Sequence, residues 1–142
     1  MNEYALPISY LPIQIICLVI FEDILFYVTH RIIHFKWLYK NIHYIHHEWT
    51  VPVAIRSQYA HPIEHLLSNV LPVVVLGHLF RLNWICYNIW FNFASINSLL
   101  VHSDYKLISF GKEHNLHHRY RNGNYGVTGL IDMFFHTNIK NN

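Results

Sequence analysis

The chain has little charge for its length. Only 13% of its 142 residues are Asp, Glu, Lys or Arg and 53% are hydrophobic, whereas a typical soluble domain is about 25% charged. With 16% aromatic residues, intrinsic disorder is excluded because such a chain buries its apolar side chains readily. An ordinary soluble globule is equally disfavoured. The Lys and Arg residues form no run or stripe that could follow a phosphate backbone, so we expect no nucleic-acid binding.

Cysteine and glycine are also scarce. Cys17 and Cys86 lie far apart in apolar runs, so they can build neither a disulfide framework nor a thiolate metal site. Gly123, Gly126 and Gly129 are spaced in triplets, but no strand pattern precedes them and they lack the fingerprints of dinucleotide and phosphate-binding loops. The sequence therefore predicts that the chain itself binds neither NAD(P)H nor ATP.

The first long apolar stretch runs over residues 6–30. Its charge-free part, residues 6–21, would be about 24 Å long as a helix, and extension to residue 29 exceeds a hydrocarbon core of about 30 Å. Residues 1–6 contain no Lys or Arg, so the basic region of a cleaved signal peptide is missing. We expect this stretch to cross a membrane and to remain there.

Two further apolar stretches follow, over residues 66–80 and 84–101. The first would be only about 22 Å long as a helix and contains Pro72 and Gly77. A short turn, Arg81-Leu82-Asn83, separates the two stretches. Their lengths and this turn predict a tight, hydrophobic helical hairpin that is too short for a comfortable crossing.

The basic residues are distributed asymmetrically around these stretches. Arg81 alone would lie on one side of the membrane. Because the side richer in Lys and Arg faces the cytoplasm, we expect the histidine clusters described next to be cytoplasmic. The nine basic residues on the other side are Arg31, Lys36, Lys40, Arg56, Lys106, Lys112, Arg119, Arg121 and Lys140.

Histidine is abundant: the chain has 13, more than its ten Lys and Arg together. Eight of them occur at helical spacing. On an α-helix, residues at i, i+3 and i+4 fall within about 100° of one face, so each triplet is predicted to form a partial metal coordination shell. The clusters are His30 and His34; His43, His46 and His47; and His114, His117 and His118.

The number of imidazoles limits the kind of metal site. Eight would close two structural zinc sites of about four ligands each. Two octahedral ions have roughly twelve positions, which leaves about four free for oxygen or water. Imidazole binds iron, copper, zinc and nickel alike, so the count favours a two-metal redox site without selecting iron.

Three more residues complete the candidate site. Asp23 lies seven and eleven residues before the first histidine pair, on the same helical face, so its carboxylate is expected to orient a ligating imidazole from behind. His61 and His102 flank the predicted hairpin. Each could supply a further metal ligand, although His61 could instead be a structural histidine.

The motifs carrying these residues resemble the membrane fatty acid hydroxylase and sterol desaturase superfamily, and most closely the 4-methylsterol oxidases. The resemblance covers residues 22–137, that is, most of the chain. Its members are usually longer, with one or two further membrane segments ahead of the stretch matching residues 6–30. The matching motifs are EDILFYVTHRIIH, NIHYIHHEWTVP, YAHPIEHLLSNVLP, HSDY and EHNLHHRYRNGNYG, followed by Asp132.

The resemblance implies a non-haem di-iron enzyme of the endoplasmic reticulum or another membrane. Such enzymes use O2 and electrons relayed from NAD(P)H through a reductase and a cytochrome b-type carrier. By this resemblance the eight clustered histidines are iron ligands, with His102 and His61 completing the site. The implied reaction is hydroxylation or desaturation of a lipid C–H bond, at a sterol methyl group or on a fatty acyl or sphingolipid chain.

The sequence therefore predicts an all-α membrane protein formed by residues 1–142 as one domain, shorter at its N-terminus than its relatives. One spanning helix and a short hydrophobic hairpin would carry a cytoplasmic, histidine-rich helical cap. Three alternatives remain at this point: a zinc-binding membrane protein, a bis-histidine haem protein and a non-catalytic remnant. Haem accounts for the residues least well, because one haem uses only two of the eight histidines.

Overall fold

The fold is helical, and no strand occurs in the residues that the structure describes, 5–49, 53–103 and 110–139 of a computed structural model. Short 3₁₀ helices cover Ile8–Tyr10, His43–Glu48 and Ala54–Gln58, and a π-helical segment covers His65–Val70. The α-helices are α1 (Leu11–Ile33), α2 (Lys36–Asn41), α3 (Pro62–Glu64), α4 (Leu71–Leu79), α5 (Trp84–Val101), α6 (Phe110–Tyr120) and α7 (Leu130–Phe134).

Two of the described helices are long and apolar enough to cross a membrane. Ile8–Ile33 has a mean hydropathy of 2.1 over its most apolar window, and Pro62–Leu79 reaches 1.2. Pro12 lies in the first turn of α1, where its missing N–H costs no hydrogen bond. Along α1, Ile13 and Ile16 are more than half exposed, as expected for side chains that face lipid. The predicted spanning helix is confirmed.

The predicted hairpin is also present. Its first arm begins at Pro62, four residues earlier than the hydropathy pattern indicated, because α3, the π segment and α4 follow one another without a break. Arg81 turns the chain with a φ of 52°. The side chain of Asn83 then caps α5 by accepting a hydrogen bond from the Cys86 N–H at 2.9 Å, a common way to begin a helix.

A small apolar core joins α1, α4 and α5. Leu18, Leu76, Cys86 and Trp90 are at most 1% exposed and belong to one cluster of packed side chains. At one end of this core, Gln14 on α1 donates its side-chain N–H to the Phe80 carbonyl at the hairpin turn, over 2.9 Å. This contact fixes which ends of the helices lie side by side, so the other end of α1 lies near the end of α5.

The C-terminal part of the chain packs against the second half of α1. The ring of Phe135 stacks on that of Tyr27 with 5.4 Å between centroids. Asp23, which is 2% exposed, accepts hydrogen bonds from the backbone N–H groups of Val127 and Thr128 at 2.6 and 3.0 Å. A carboxylate in a membrane helix is costly unless it is paired, and here the loop before α7 supplies its partners.

Candidate metal centre

Nine imidazoles from four segments of the chain converge in two adjacent clusters. Within each cluster, one nitrogen of every histidine lies within 4.8 Å of the corresponding nitrogen of all the others. Both clusters join residues that are distant in sequence, so tertiary packing assembles them. The first cluster is His30, His34, His43, His47 and His117, and the second cluster is His46, His102, His114 and His118.

The first cluster is held together by short distances between Nε2 atoms. The Nε2 of His43 lies 3.2 Å from that of His30, 3.0 Å from that of His34 and 2.9 Å from that of His47. The Nε2 of His117 lies 3.2 Å from that of His34 and 3.1 Å from that of His47. Five Nε2 atoms therefore surround one point, beside the end of α1.

The second cluster has four members, and its Nε2 atoms are also close together. The Nε2 of His114 lies 2.8 Å from that of His102 and 3.0 Å from that of His118. His46 joins through its own Nε2, 3.4 Å from that of His102. The clusters are close neighbours, since the ring centroids of His47 and His118, one from each cluster, are 4.6 Å apart.

The Nδ1 atoms show which ring nitrogens are available to a metal. The Nδ1–H of His30 donates to the Tyr125 carbonyl at 2.8 Å, that of His117 to the Gly123 carbonyl at 2.7 Å, and that of His43 to Glu64 Oε1 at 2.7 Å. A neutral imidazole carries one proton. Because Nδ1 holds it in these rings, each Nε2 presents a lone pair to the centre of the first cluster.

Lone pairs that face one another need a cation between them. Metal–imidazole bonds of about 2.0–2.1 Å place adjacent ligand nitrogens of an octahedral ion about 3 Å apart, which matches the spacings of 2.9–3.2 Å in the first cluster. The nine residues therefore fit two metal ions. Five and four imidazoles would leave positions free on both ions if the ions are octahedral.

Burial keeps these imidazoles in their neutral form. Desolvation, followed by repulsion from neighbouring histidines, lowers the pKa of His34 and of His46 to about 3 and that of His118 to about 2. The same two causes lower the pKa of His43 and His117 well below the usual value. The rings are thus neutral at pH 7 and available to coordinate a metal. The contact between His43 and Glu64 is accordingly a hydrogen bond onto a carboxyl group, without a charged imidazolium.

The two predicted triplets do not each form one shell. His43 and His47 enter the first cluster while His46 enters the second, and His117 enters the first while His114 and His118 enter the second. Each triplet therefore contributes its i and i+4 members to one cluster and its middle member to the other. The expectation of one shell per triplet was wrong in this respect, because the two ions would lie on either side of each segment.

The first triplet also departs from the predicted α-helix. His43–Glu48 is a 3₁₀ helix, entered from Ile42 with a φ of −127° and left through Trp49 in an extended conformation. The two breaks confine the segment to six residues, and its hydrogen bonds follow the tighter 3₁₀ pattern that is common in such short pieces. The second triplet does lie on an α-helix, α6.

Two predicted site residues have other partners. His61 belongs to neither cluster; its Nδ1 accepts the Ile63 N–H at 3.2 Å and caps the start of α3. Asp23 bonds to Val127 and Thr128, and the expected bond to a histidine is not among its hydrogen bonds to described residues. Its effect on the first cluster is indirect, because Asp23 anchors the loop whose Tyr125 carbonyl orients His30.

Glu64 takes the position expected of Asp23. Its carboxyl group is 5% exposed and accepts from His43 at 2.7 Å, as carboxylates often do behind metal-bound histidines. The spacing of the histidines gives no indication of Glu64. The available signal was its place in the AHPIE motif, an acid directly ahead of an apolar helix.

The loop over residues 121–129 supplies the two carbonyls that orient His30 and His117. Asp132, fully buried, accepts from the Tyr125 N–H at 2.8 Å and the Gly126 N–H at 2.6 Å. A Cβ on Gly126 would lie 2.8 Å from Asp23 Oδ1 and 2.9 Å from Asp132 Oδ2. Glycine is needed here so that two carboxylates can approach the backbone. This explains Gly126, one of the three regularly spaced glycines.

A cavity of about 160 Å³ opens beside the clusters, between α1, the π segment and α5. Five clustered histidines form one wall of the cavity, the histidine wall, and His65 also lines it; the five are His30, His43, His46, His102 and His114. The apolar part of its lining includes Phe26, Ile33, Val73, Phe91 and Val101. An apolar molecule in this cavity would therefore contact the residues that could hold the metals.

Replacing Glu64 with glutamine is expected to weaken metal binding about 10- to 100-fold, the usual effect of losing a carboxylate behind a ligating histidine. Glutamine keeps the shape but not the charge that makes His43 a stronger ligand. Chelator competition on the purified protein measures this affinity. The matched control is Glu22→Gln, because Glu22 lines the same cavity and has no hydrogen bond to a histidine among the described residues. Equal losses in both variants would contradict the role of Glu64.

Comparison with known proteins agrees with this geometry. The family model described as fatty acid hydroxylase matches residues 15–137, which include all nine clustered histidines. The chain belongs to the fatty acid hydroxylase family. The resemblance noted from the motifs is thereby confirmed, and both histidine clusters of this fatty acid hydroxylase domain lie within the matched region.

Curated relatives cover several lipid enzymes. The chain is 42% identical over 113 residues to fatty acid hydroxylase domain-containing protein 2 of Homo sapiens, covering 78% of the chain and 34% of the relative. It is 39% identical over 126 residues to fatty acid hydroxylase ahd1 of Mycosarcoma maydis, covering 87% of the chain and 33% of the relative. It is 35% identical over 142 residues to methylsterol monooxygenase 2-2 of Arabidopsis thaliana, covering 87% and 52%.

This fatty acid hydroxylase domain thus spans between a third and about half of the length of these relatives. No solved structure matches the chain. The relatives therefore establish the family, whereas the geometry of the two clusters is seen in the structure of this chain.

Proposed function

We propose that the protein is a membrane di-iron lipid hydroxylase that uses O2 to oxidise a C–H bond, most specifically that of a sterol methyl group. The observation that carries this proposal is the meeting of two imidazole clusters at the wall of a partly apolar cavity. The methylsterol monooxygenase among its relatives supports the sterol assignment. The relatives named as fatty acid hydroxylases favour a fatty acyl or sphingolipid chain as the alternative substrate.

The nine clustered histidines would hold the two iron ions. When bound, the irons would supply the activation of O2 that the protein alone cannot provide. His30, His43 and His117 keep their Nδ1 protons on fixed acceptors, so their Nε2 atoms stay directed at the metal position. The burial of the clusters restricts access of water to the oxidising centre.

The cavity is sized for one end of a lipid. A cavity of about 150 Å³ is known to accommodate benzene, so the 160 Å³ here would enclose only the reacting part of a sterol or long chain. The remainder would extend between helices whose exposed apolar side chains face the bilayer. Lateral entry from the membrane would place the substrate carbon beside the histidine wall.

Electrons would reach the centre from NAD(P)H through a reductase and a cytochrome b-type carrier, as the family resemblance implies. We place the protein in the endoplasmic reticulum membrane, with the histidine clusters facing the cytoplasm. The support for this orientation is the excess of Lys and Arg on that side, nine residues against Arg81, because the richer side faces the cytoplasm.

Expression in cells that lack sterol C-4 methyl oxidation, followed by lipid profiling, tests the proposal. We expect the full chain to lower the amount of methylated sterols and to contain about two iron ions per chain. Two zinc ions under iron-replete conditions, with no oxygen-dependent change in any lipid, would instead identify a zinc-binding protein without oxidase activity. Hydroxylated fatty acyl or sphingolipid products would assign the alternative substrate.

A further inference from the structure

Two buried polar atoms on the cavity wall have no hydrogen-bond partner among the described residues, Glu64 Oε2 and Ser68 Oγ. Glu64 is 5% exposed and Ser68 is 4% exposed, and both line the cavity. An unpaired buried polar group destabilises the protein, and the hydrocarbon core of a membrane offers no bulk water to pair it. This wall is therefore complementary to a polar group that enters the cavity.

The two residues lie on neighbouring turns of one continuous helical run. Glu64 ends α3 and Ser68 lies in the following π segment, four residues later, so the two side chains are about one helical turn apart on one face. Segments of π-helix are frequent at functional sites. Because Glu64 Oε1 is held by the Nδ1 of His43, the orientation of Oε2 is fixed directly behind a member of the first cluster.

Other unpaired atoms do not share this setting. The other buried atoms without a partner among the described residues are Gln14 Oε1, Trp90 Nε1 and the Nδ1 atoms of His47 and His118, and none of these four residues lines the cavity. Ser95 does line it, yet its hydroxyl already donates to the Phe91 carbonyl at 2.8 Å. Glu64 Oε2 and Ser68 Oγ are therefore set apart by their position on the cavity wall.

We propose that Glu64 and Ser68 bind the hydroxyl group of the lipid substrate, so that the protein selects lipid alcohols whose reacting carbon lies near the hydroxyl. The Glu64 carboxylate accepts the lipid O–H, and the Ser68 hydroxyl donates to the lipid oxygen. A hydrocarbon of the same shape would leave both groups unpaired, and a site built this way discriminates strongly against it. This inference rests on the proposed function and specifies its substrate class.

The test is equilibrium binding to the full chain in lipid nanodiscs, loaded with zinc so that no turnover occurs. The probes are two tritiated pairs, cholestanol with cholestane and hexadecanol with hexadecane. We expect the alcohol of at least one pair to bind more tightly than its hydrocarbon. Ser68→Ala should lower the affinity for that alcohol about three- to tenfold, the value of one hydrogen bond, and leave the hydrocarbon unaffected.

Two variants control the measurement. Ser95→Ala removes a hydroxyl from the same cavity that is already paired, and it should change neither affinity. Ser68→Thr keeps a hydroxyl at position 68 and should restore binding of the alcohol. Unchanged zinc content in all three variants shows that the clusters remain intact.

Several outcomes would overturn the inference. They are absence of binding, equal affinities within both pairs, and an alcohol preference that Ser68→Ala leaves intact, which would mean that only water occupies this wall. Failure of the proposed function gives a different result. Selective alcohol binding without oxidation of any lipid by the iron-loaded protein would refute the enzyme alone, whereas oxidation of alcohol and hydrocarbon with equal kcat/KM would refute the selectivity alone.

Discussion

Replacing His117 with alanine is expected to abolish lipid oxidation, with a loss of at least about 100-fold, and to reduce the metal content from two ions per chain to one. His117 is fully buried, and its Nε2 lies about equally far from those of His34 and His47, at 3.2 and 3.1 Å. Loss of a group that merely orients a ligand already costs about 10- to 100-fold. Loss of the ligand itself should cost more.

Complementation and metal analysis together check this result. The wild-type chain should rescue a sterol-oxidation defect and His117→Ala should not. His78→Ala is the matched control, because His78 is exposed near the hairpin turn. Among the described residues its Nδ1 bonds only within its own helix, to the Val74 carbonyl. Equal rescue by both variants would remove the catalytic role of the first cluster.

Replacing Asp132 with alanine is expected to destabilise the fold by about 3–5 kcal/mol and to weaken metal binding at the first cluster. The carboxylate accepts from the N–H groups of Tyr125 and Gly126 and from the Thr137 hydroxyl. Each buried donor left unpaired costs about 1–3 kcal/mol. The loop would then no longer hold the Tyr125 carbonyl against His30.

Chemical unfolding in detergent micelles and chelator competition measure the two effects. Asp132→Asn is the matched comparison, because asparagine keeps the shape and one acceptor oxygen, and it should lose about half as much stability. If Asp132→Ala unfolds like the wild type, the loop does not depend on this carboxylate. If stability falls but the metal affinity is unchanged, the loop does not orient His30.

Local patterns were sufficient to predict the elements that carry the site. His30 and His34 lie one turn apart on α1, and His114 and His118 do the same on α6, as their spacing indicated. The hydropathy of residues 6–30 and the turn at Arg81 indicated the spanning helix and the hairpin. These features depend on residues close in sequence, so a single chain reveals them.

The partners of the polar side chains were less predictable. Asp23 has the helical phase of the first histidine pair, yet its acceptor oxygens meet Val127 and Thr128, which lie more than 100 residues later in the chain. Glu64 bonds to His43 across 21 residues. Spacing determines which face of a helix a side chain occupies, but it contains no information about which other segment packs on that face.

Composition and periodicity are local properties, and they suffice to predict a helical, apolar protein that is rich in imidazoles at helical spacing. The division of the imidazoles between two clusters follows from tertiary packing, since His46 and His47 are neighbours in the chain but belong to different clusters. Successive side chains of a short helix point in different directions, and only the packing of α1, α5 and α6 around them sets which rings each can meet.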